Sequence, residues 1–100
     1  MNPTVRTQNS NTPTIASDAT ALASNPDRVG FSIQNLGTNV LFVLLGDGAT
    51  NTVFHYALRA GTANDDGTGG VLTVADTAVF TGPVTVAGTS PRYTVLELAP

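Results

Sequence analysis

The feature that most restricts the fold is the stretch Val29 to Gly46, VGFSIQNLGTNVLFVLLG, the densest apolar run in the chain, interrupted once by a glycine-containing turn. Val29, Phe31 and Ile33 alternate with Gly30, Ser32 and Gln34, the period of a strand with one buried and one wetter face. Val40-Leu41-Phe42-Val43-Leu44-Leu45 is apolar at every position, which suits a central strand covered on both faces. A short apolar run does not by periodicity exclude a buried helical turn, but this one's length and valines favour strand. Between the halves, Asn35-Leu36-Gly37-Thr38-Asn39 offers a residue free to take positive φ and two asparagines able to bond nearby backbone. The spacing predicts a hairpin with a loop of about three to five residues.

The rest of the chain reads as short strands between turns. Residues 1–13, MNPTVRTQNSNTP, are polar with two prolines and no periodicity, so alone they bury too little apolar area to offset the entropy of ordering. They read as an extended N-terminal arm, either a frayed terminus or a peptide that orders on a neighbouring subunit with Val5 and Arg6 as anchors. The body, residues 14–100, opens with Thr14-Ile15-Ala16 and Thr20-Ala21-Leu22-Ala23, two strand pieces unless Asp18 to Ala23 is a short helix. Turn formers Ser24-Asn25-Pro26-Asp27 follow.

Past the turn Gly46 to Asn51, Phe54, Tyr56 and Leu58 alternate with Val53, His55 and Arg59 in Thr52 to Ala60. This is a strand pattern, although Asn51 and Gly61 would also cap a helix. Gly61 to Gly70, GTANDDGTGG, is expected to be an exposed loop. Strands are then expected at Val71 to Val74, Ala78 to Phe80, Val84 to Val86 and Tyr93 to Leu98. Seven or eight short strands at spacings near ten residues point to an all-β fold, a single antiparallel sandwich or jelly-roll-like domain.

Composition enters through what it excludes. One hundred residues form one domain that buries roughly 60–70% of the unfolded surface, enough for a single modest core. With no cysteine, stability comes from packing, pairing or oligomerisation. No segment has the roughly 18–20 consecutive apolar residues that cross a bilayer, and the start lacks a signal-peptide layout, so no membrane partner is expected. A net charge of −3 and a pI near 4.5 argue against nucleic acid as partner, because phosphate binding needs clustered basic side chains. Only 11% of residues are charged, and the basic ones, Arg6, Arg28, Arg59 and Arg92, are all arginine. A surface so poor in solvating charge is either a plain Thr-rich β surface or one largely covered in an assembly, where arginine is preferred over lysine.

No residue pattern supplies a reaction. His55 is the only histidine, and no Ser-His-Asp or His-rich set accompanies it. Asp65-Asp66 offers oxygen ligands without calcium-loop spacing, and Gly67-Thr68-Gly69-Gly70 lacks the lysine of a phosphate loop. Neither an enzyme nor a cofactor is therefore expected. The expected partner contacts are Val5, Arg6, Leu36, Arg59 and Arg92. Leu36, at the tip of the expected hairpin, either tucks back onto the body or stands out as an apolar knob.

Several of these stretches resemble small bacteriophage virion structural proteins. Arg28-Val29-Gly30-Phe31-Ser32-Ile33-Gln34-Asn35-Leu36-Gly37-Thr38-Asn39, followed by Leu41-Phe42-Val43 and the Gly46-Asp47-Gly48-Ala49 turn, carries most of the likeness. Asp66-Gly67-Thr68-Gly69-Gly70 and Phe80-Thr81-Gly82-Pro83 extend it, so that it covers residues 28–98. The resemblance implies a head decoration or cement protein: a β module, often a trimer, on the outer surface of the capsid, where it binds the major capsid protein and stiffens the shell. It implies no active site. Under that reading the arm lies on an adjacent subunit by strand addition and loops at one end of the sandwich meet the shell. The rivals are a phage tail, fibre or baseplate component and a carbohydrate-binding module, which needs a platform of aromatics on one face; of Phe31, Phe42, Phe54, Phe80, Tyr56 and Tyr93 most fall at core-facing positions.

Overall fold

A computed structural model of the chain describes residues 4–9, 19–75 and 79–99. Within them the chain forms β1 (Thr4–Asn9), β2 (Ala19–Leu22), β3 (Gly30–Asn35), β4 (Leu41–Leu45), β5 (Tyr56–Leu58), β6 (Val71–Ala75), β7 (Val84–Ala87) and β8 (Tyr93–Ala99). No helix occurs among the described residues, so Asp18 to Ala23 resolves in favour of strand from Ala19 onward. The strands make two antiparallel sheets, β1-β8-β3-β6 and β2-β7-β4-β5. This is the expected all-β sandwich.

The alternation in β3 places Phe31, Ile33 and Asn35 inward, with Ser32 and Gln34 half-buried on the other face. Leu41 and Val43 of β4 are likewise buried. The two strands do not form the expected hairpin, however, for β3 lies in one sheet and β4 in the other. Period two decides which face a strand buries, not which strand it pairs with. Here the two buried faces oppose one another across the core, and the turn between them is a corner from sheet to sheet. Only the β4–β5 connection stays within a sheet; every other successive pair of strands changes sheet. Phe31, Ile33, Leu41, Val43, Val84, Val86, Tyr93 and Val95, with Leu22 and Leu58, make the core. Each large apolar side chain among them contributes about 1.5–3 kcal/mol by burial.

β4 is apolar throughout for a local reason. Its outer face is covered by the chain that follows it: Phe54 packs on Phe42 with ring centroids 4.9 Å apart. His55 N donates to Val43 O at 2.8 Å, and Leu45 N donates to His55 Nδ1 at 3.0 Å. Thr85, on the outer face of β7, donates from Oγ1 to Gly46 O and accepts from Ala49 N, so that Ala49 is fully buried. This folding-back shortens the strand expected over Thr52 to Ala60 to Tyr56–Leu58. Likewise Val79 and Phe80 are not in a strand; the Phe80 carbonyl instead takes a hydrogen bond from Arg28.

Part of the stretch read as an arm enters the sandwich. Thr4–Asn9 pairs antiparallel with β8, from Thr4↔Ala99 to Asn9↔Val95, with a register shift between Val5 and Thr7. An edge strand is held by ladder hydrogen bonds to its neighbour, so a polar sequence is no obstacle there. The expected strand at Thr14-Ile15-Ala16 lies outside the described residues.

Candidate functional site

One end of the sandwich gathers the corner after β3, the long loop between β5 and β6, and the turn before β8. Asn35, the last residue of β3, is 1% exposed and joins them. Its Oδ1 accepts from Gly37 N at 2.9 Å, while its Nδ2 reaches Asn39 O at 2.8 Å, Arg59 O at 3.1 Å and Leu58 O at 3.2 Å. A side-chain amide with both donors and acceptors is the group able to close a corner where no ladder exists. Backbone bonds complete the joint: Leu36 N donates to Arg92 O, Asp65 N to Leu36 O, and Gly61 N to Gly37 O, each at 2.8 Å. Gly69 is buried against this corner, and a Cβ there would collide with the Asn35 carbonyl oxygen.

The two adjacent carboxylates of the long loop have separate partners. Asp65, at φ 61°, receives both Nε (2.9 Å) and Nη2 (2.6 Å) of Arg92. The hydrogen bond from Arg92 is the main cause that holds its carboxyl below the usual range, with the arginine's charge acting in the same direction. Asp66 accepts from Thr62 Oγ1 at 2.5 Å, Thr68 Oγ1 at 2.6 Å and Thr68 N at 3.0 Å. These bonds, that of Thr62 foremost, favour the ionised form and lower its pKa to about 2. Among the described residues no three His, Cys, Asp or Glu side chains group as a metal site.

The structure brings three of the five expected contact residues together. Leu36 is half-buried with both of its backbone groups bonded, an outcome nearer to tucking back than to a free knob. Arg92 is tied to Asp65, and Arg59 is exposed, with one long hydrogen bond to Thr68 O at 3.4 Å. Val5 and Arg6 stand apart from these: Val5 pairs with Leu98, at the opposite end of β8 from Arg92.

Two features escape sequence reading. The first is apolar surface: Val40, Val53, Phe54, Tyr56 and Val71 are between 37% and 57% exposed. The alternation of Phe54, Tyr56 and Leu58 through Thr52 to Ala60 puts the three on one face of a regular strand, yet only Leu58 is buried. The strand starts only at Tyr56, so Phe54 leaves that face to stack on Phe42 and Tyr56 is left on a short edge. A usable signal was the turn-rich stretch Gly46 to Thr52 just before them, which argues against a long regular strand. The second feature is the buried pair Arg28–Glu97 at the other end, 2.8 Å apart. Glu97 occupies a core-facing position of β8 beside Tyr93 and Val95, and a carboxylate at such a position implies a buried cation.

No family model, curated protein or solved structure matches this chain.

Proposed function

We propose that this protein is a structural subunit of a bacteriophage virion, a head decoration protein that binds the major capsid protein on the outer surface of the shell. The observation that carries the reading is the exposed apolar set Val40, Val53, Phe54, Tyr56 and Val71 on a chain with only 11% charged residues. A surface of that kind favours association over free solution. The loop end adds a second supporting trait, since its internal hydrogen bonds hold it in one shape and so lower the ordering cost of docking. The resemblance carried by residues 28–49, 66–70 and 80–83 is the ground for choosing a phage particle as the assembly.

The test is the copy number of this chain in purified virions, by quantitative mass spectrometry against the major capsid protein. A ratio near one per capsid subunit or per capsid trimer is the expected result. A few copies per particle would move the protein to the tail, fibre or baseplate, whose components have the same need for rigid β modules. Absence from the particle would sink the virion reading. The exposed rings of Phe54 and Tyr56 favour carbohydrate binding as the next reading to test, on a glycan array.

A further inference from the structure

The two sheets have four outer strands, β1, β6, β2 and β5, and an unpaired strand edge is a template for another chain unless something blunts it. Three of the four are blunted. β1 has a register shift between Val5 and Thr7, with an arginine between them in the sequence. β2 has only four residues and a shift between Thr20 and Leu22. β5 has only three residues. β6 differs: Val71-Leu72-Thr73-Val74-Ala75 has neither charge nor proline, and its pairing with β3 runs from Gln34↔Val71 to Gly30↔Ala75 without a shift. Among the described residues nothing pairs with its other side.

The phase of β6 follows from the Asn35 N to Gly70 O hydrogen bond. Backbone groups of successive residues point to opposite sides of an antiparallel strand, so Leu72 and Val74 turn theirs toward β3. Val71, Thr73 and Ala75 turn theirs to the open edge. Val71 and Thr73 are exposed, Val71 by 57%, while Leu72 and Val74 are partly buried against the core on the inner face.

We infer that β6 is a self-association edge, on which a second copy of this chain adds its own β6 antiparallel about a two-fold axis at Thr73. The sequence of the strand is complementary to itself in that register. Thr73 meets Thr73 of the second copy, Val71 meets its Ala75, and Leu72 meets its Val74, so no like charges oppose one another and the inner-face apolar residues of the two copies adjoin. About six ladder hydrogen bonds form, from the outward groups of Val71, Thr73 and Ala75 in each copy. The first sheets of the two copies become one continuous sheet. This dimer takes the place of the threefold association that the family resemblance implies, and it does not depend on the virion reading.

Sedimentation equilibrium or native mass spectrometry of the full chain is expected to show a monomer–dimer equilibrium. Thr73→Pro removes the central outward N–H while leaving the β3 side of the ladder intact, and Thr73→Lys places two like charges on the axis. Each is expected to weaken the dimer by at least about a hundredfold, with circular dichroism and thermal unfolding showing that the fold is retained. Because the chain has no cysteine, Thr73→Cys supplies a single label. It is expected to cross-link to itself with a short bifunctional maleimide, whereas Thr20→Cys on β2 is expected not to. A monomer up to about millimolar concentration, a trimer, or a dimer that persists in Thr73→Pro or cross-links equally at residue 20 would overturn the inference.

Discussion

Arg28 has its side chain wholly out of solvent, and each nitrogen of its guanidinium is bonded. Nε donates to Glu97 at 2.8 Å, Nη1 to the carbonyls of Phe80 and Gly82, and Nη2 to that of Ala23. The guanidinium carbon also lies 5.5 Å from the centre of the Phe31 ring. Asn25 Nδ2 supplies the other Glu97 oxygen at 3.2 Å. One cation thus ties the connection between β2 and β3 to β8 and to the segment before β7, and removing it leaves a buried carboxylate without its partner. Arg28→Met is expected to cost about 3–5 kcal/mol, read by urea unfolding, and the double change Arg28→Met with Glu97→Leu is expected to recover much of that. A loss under about 1 kcal/mol for the single change would refute the clamp. Asp66 makes a second residue-scale prediction, this time of pH dependence. Its folded pKa, about 2, lies below the ordinary value of 3.8. The loop contacts it makes therefore contribute stability fully above about pH 4, and that contribution is lost as pH falls through about 2. A carbon-detected NMR titration of the carboxyl is expected to find the midpoint near 2 and to find it displaced upward in Thr62→Val. An unchanged midpoint in that variant would remove the threonine as cause.

Among the elements, the corner after β3 decides how the two sheets join. Asn35 replaces ladder bonding with side-chain bonding at the point where the chain leaves one sheet for the other, and Gly69 allows the long loop to press against it. Gly69→Ala is expected to push the loop off Asn35, raise amide exchange at Leu36, Gly61 and Asp65, and lower stability by about 1–3 kcal/mol through the loosened buried amide. Exchange rates in that variant equal to those of the parent would show that the packing is not needed. Strand β6 belongs to this scale as well, since its regular ladder and uncharged sequence set it apart from the other three outer strands.

For the whole molecule, the exposed apolar side chains and the loop end are, among the described residues, the surfaces on which the proposed capsid contact is tested. Phe54→Ser combined with Tyr56→Ser is expected to leave the fold intact while lowering stability by about 2–4 kcal/mol, because both rings are more than half buried and Phe54 packs on Phe42. Under the proposed capsid-binding role, binding to heads that lack this protein is expected to fall at least about tenfold, because aromatics are the residues most often central to interfaces. Retained binding would move the contact to the loop end, where Arg59 is the exposed cation to replace next.

Hydrophobic alternation is a local property, and it determined what is local here: the all-β class, most strand positions, the buried face of β3, and the turns at Pro26-Asp27 and Gly46 to Asn51. Sheet membership was not legible, since a hairpin and a sheet-to-sheet corner share one pattern of apolar run, turn and apolar run. The site was legible only in part: Leu36, Arg59 and Arg92 were singled out as residue types, but nothing local says that residues 36, 65 and 92 meet. Tertiary structure alone decided that β3 and β4 face each other across the core, that Phe54 and Tyr56 reach the surface, and that Arg28 finds Glu97. Each of those outcomes depends on contacts between residues far apart in the chain, where pairing, burial and charge are settled together.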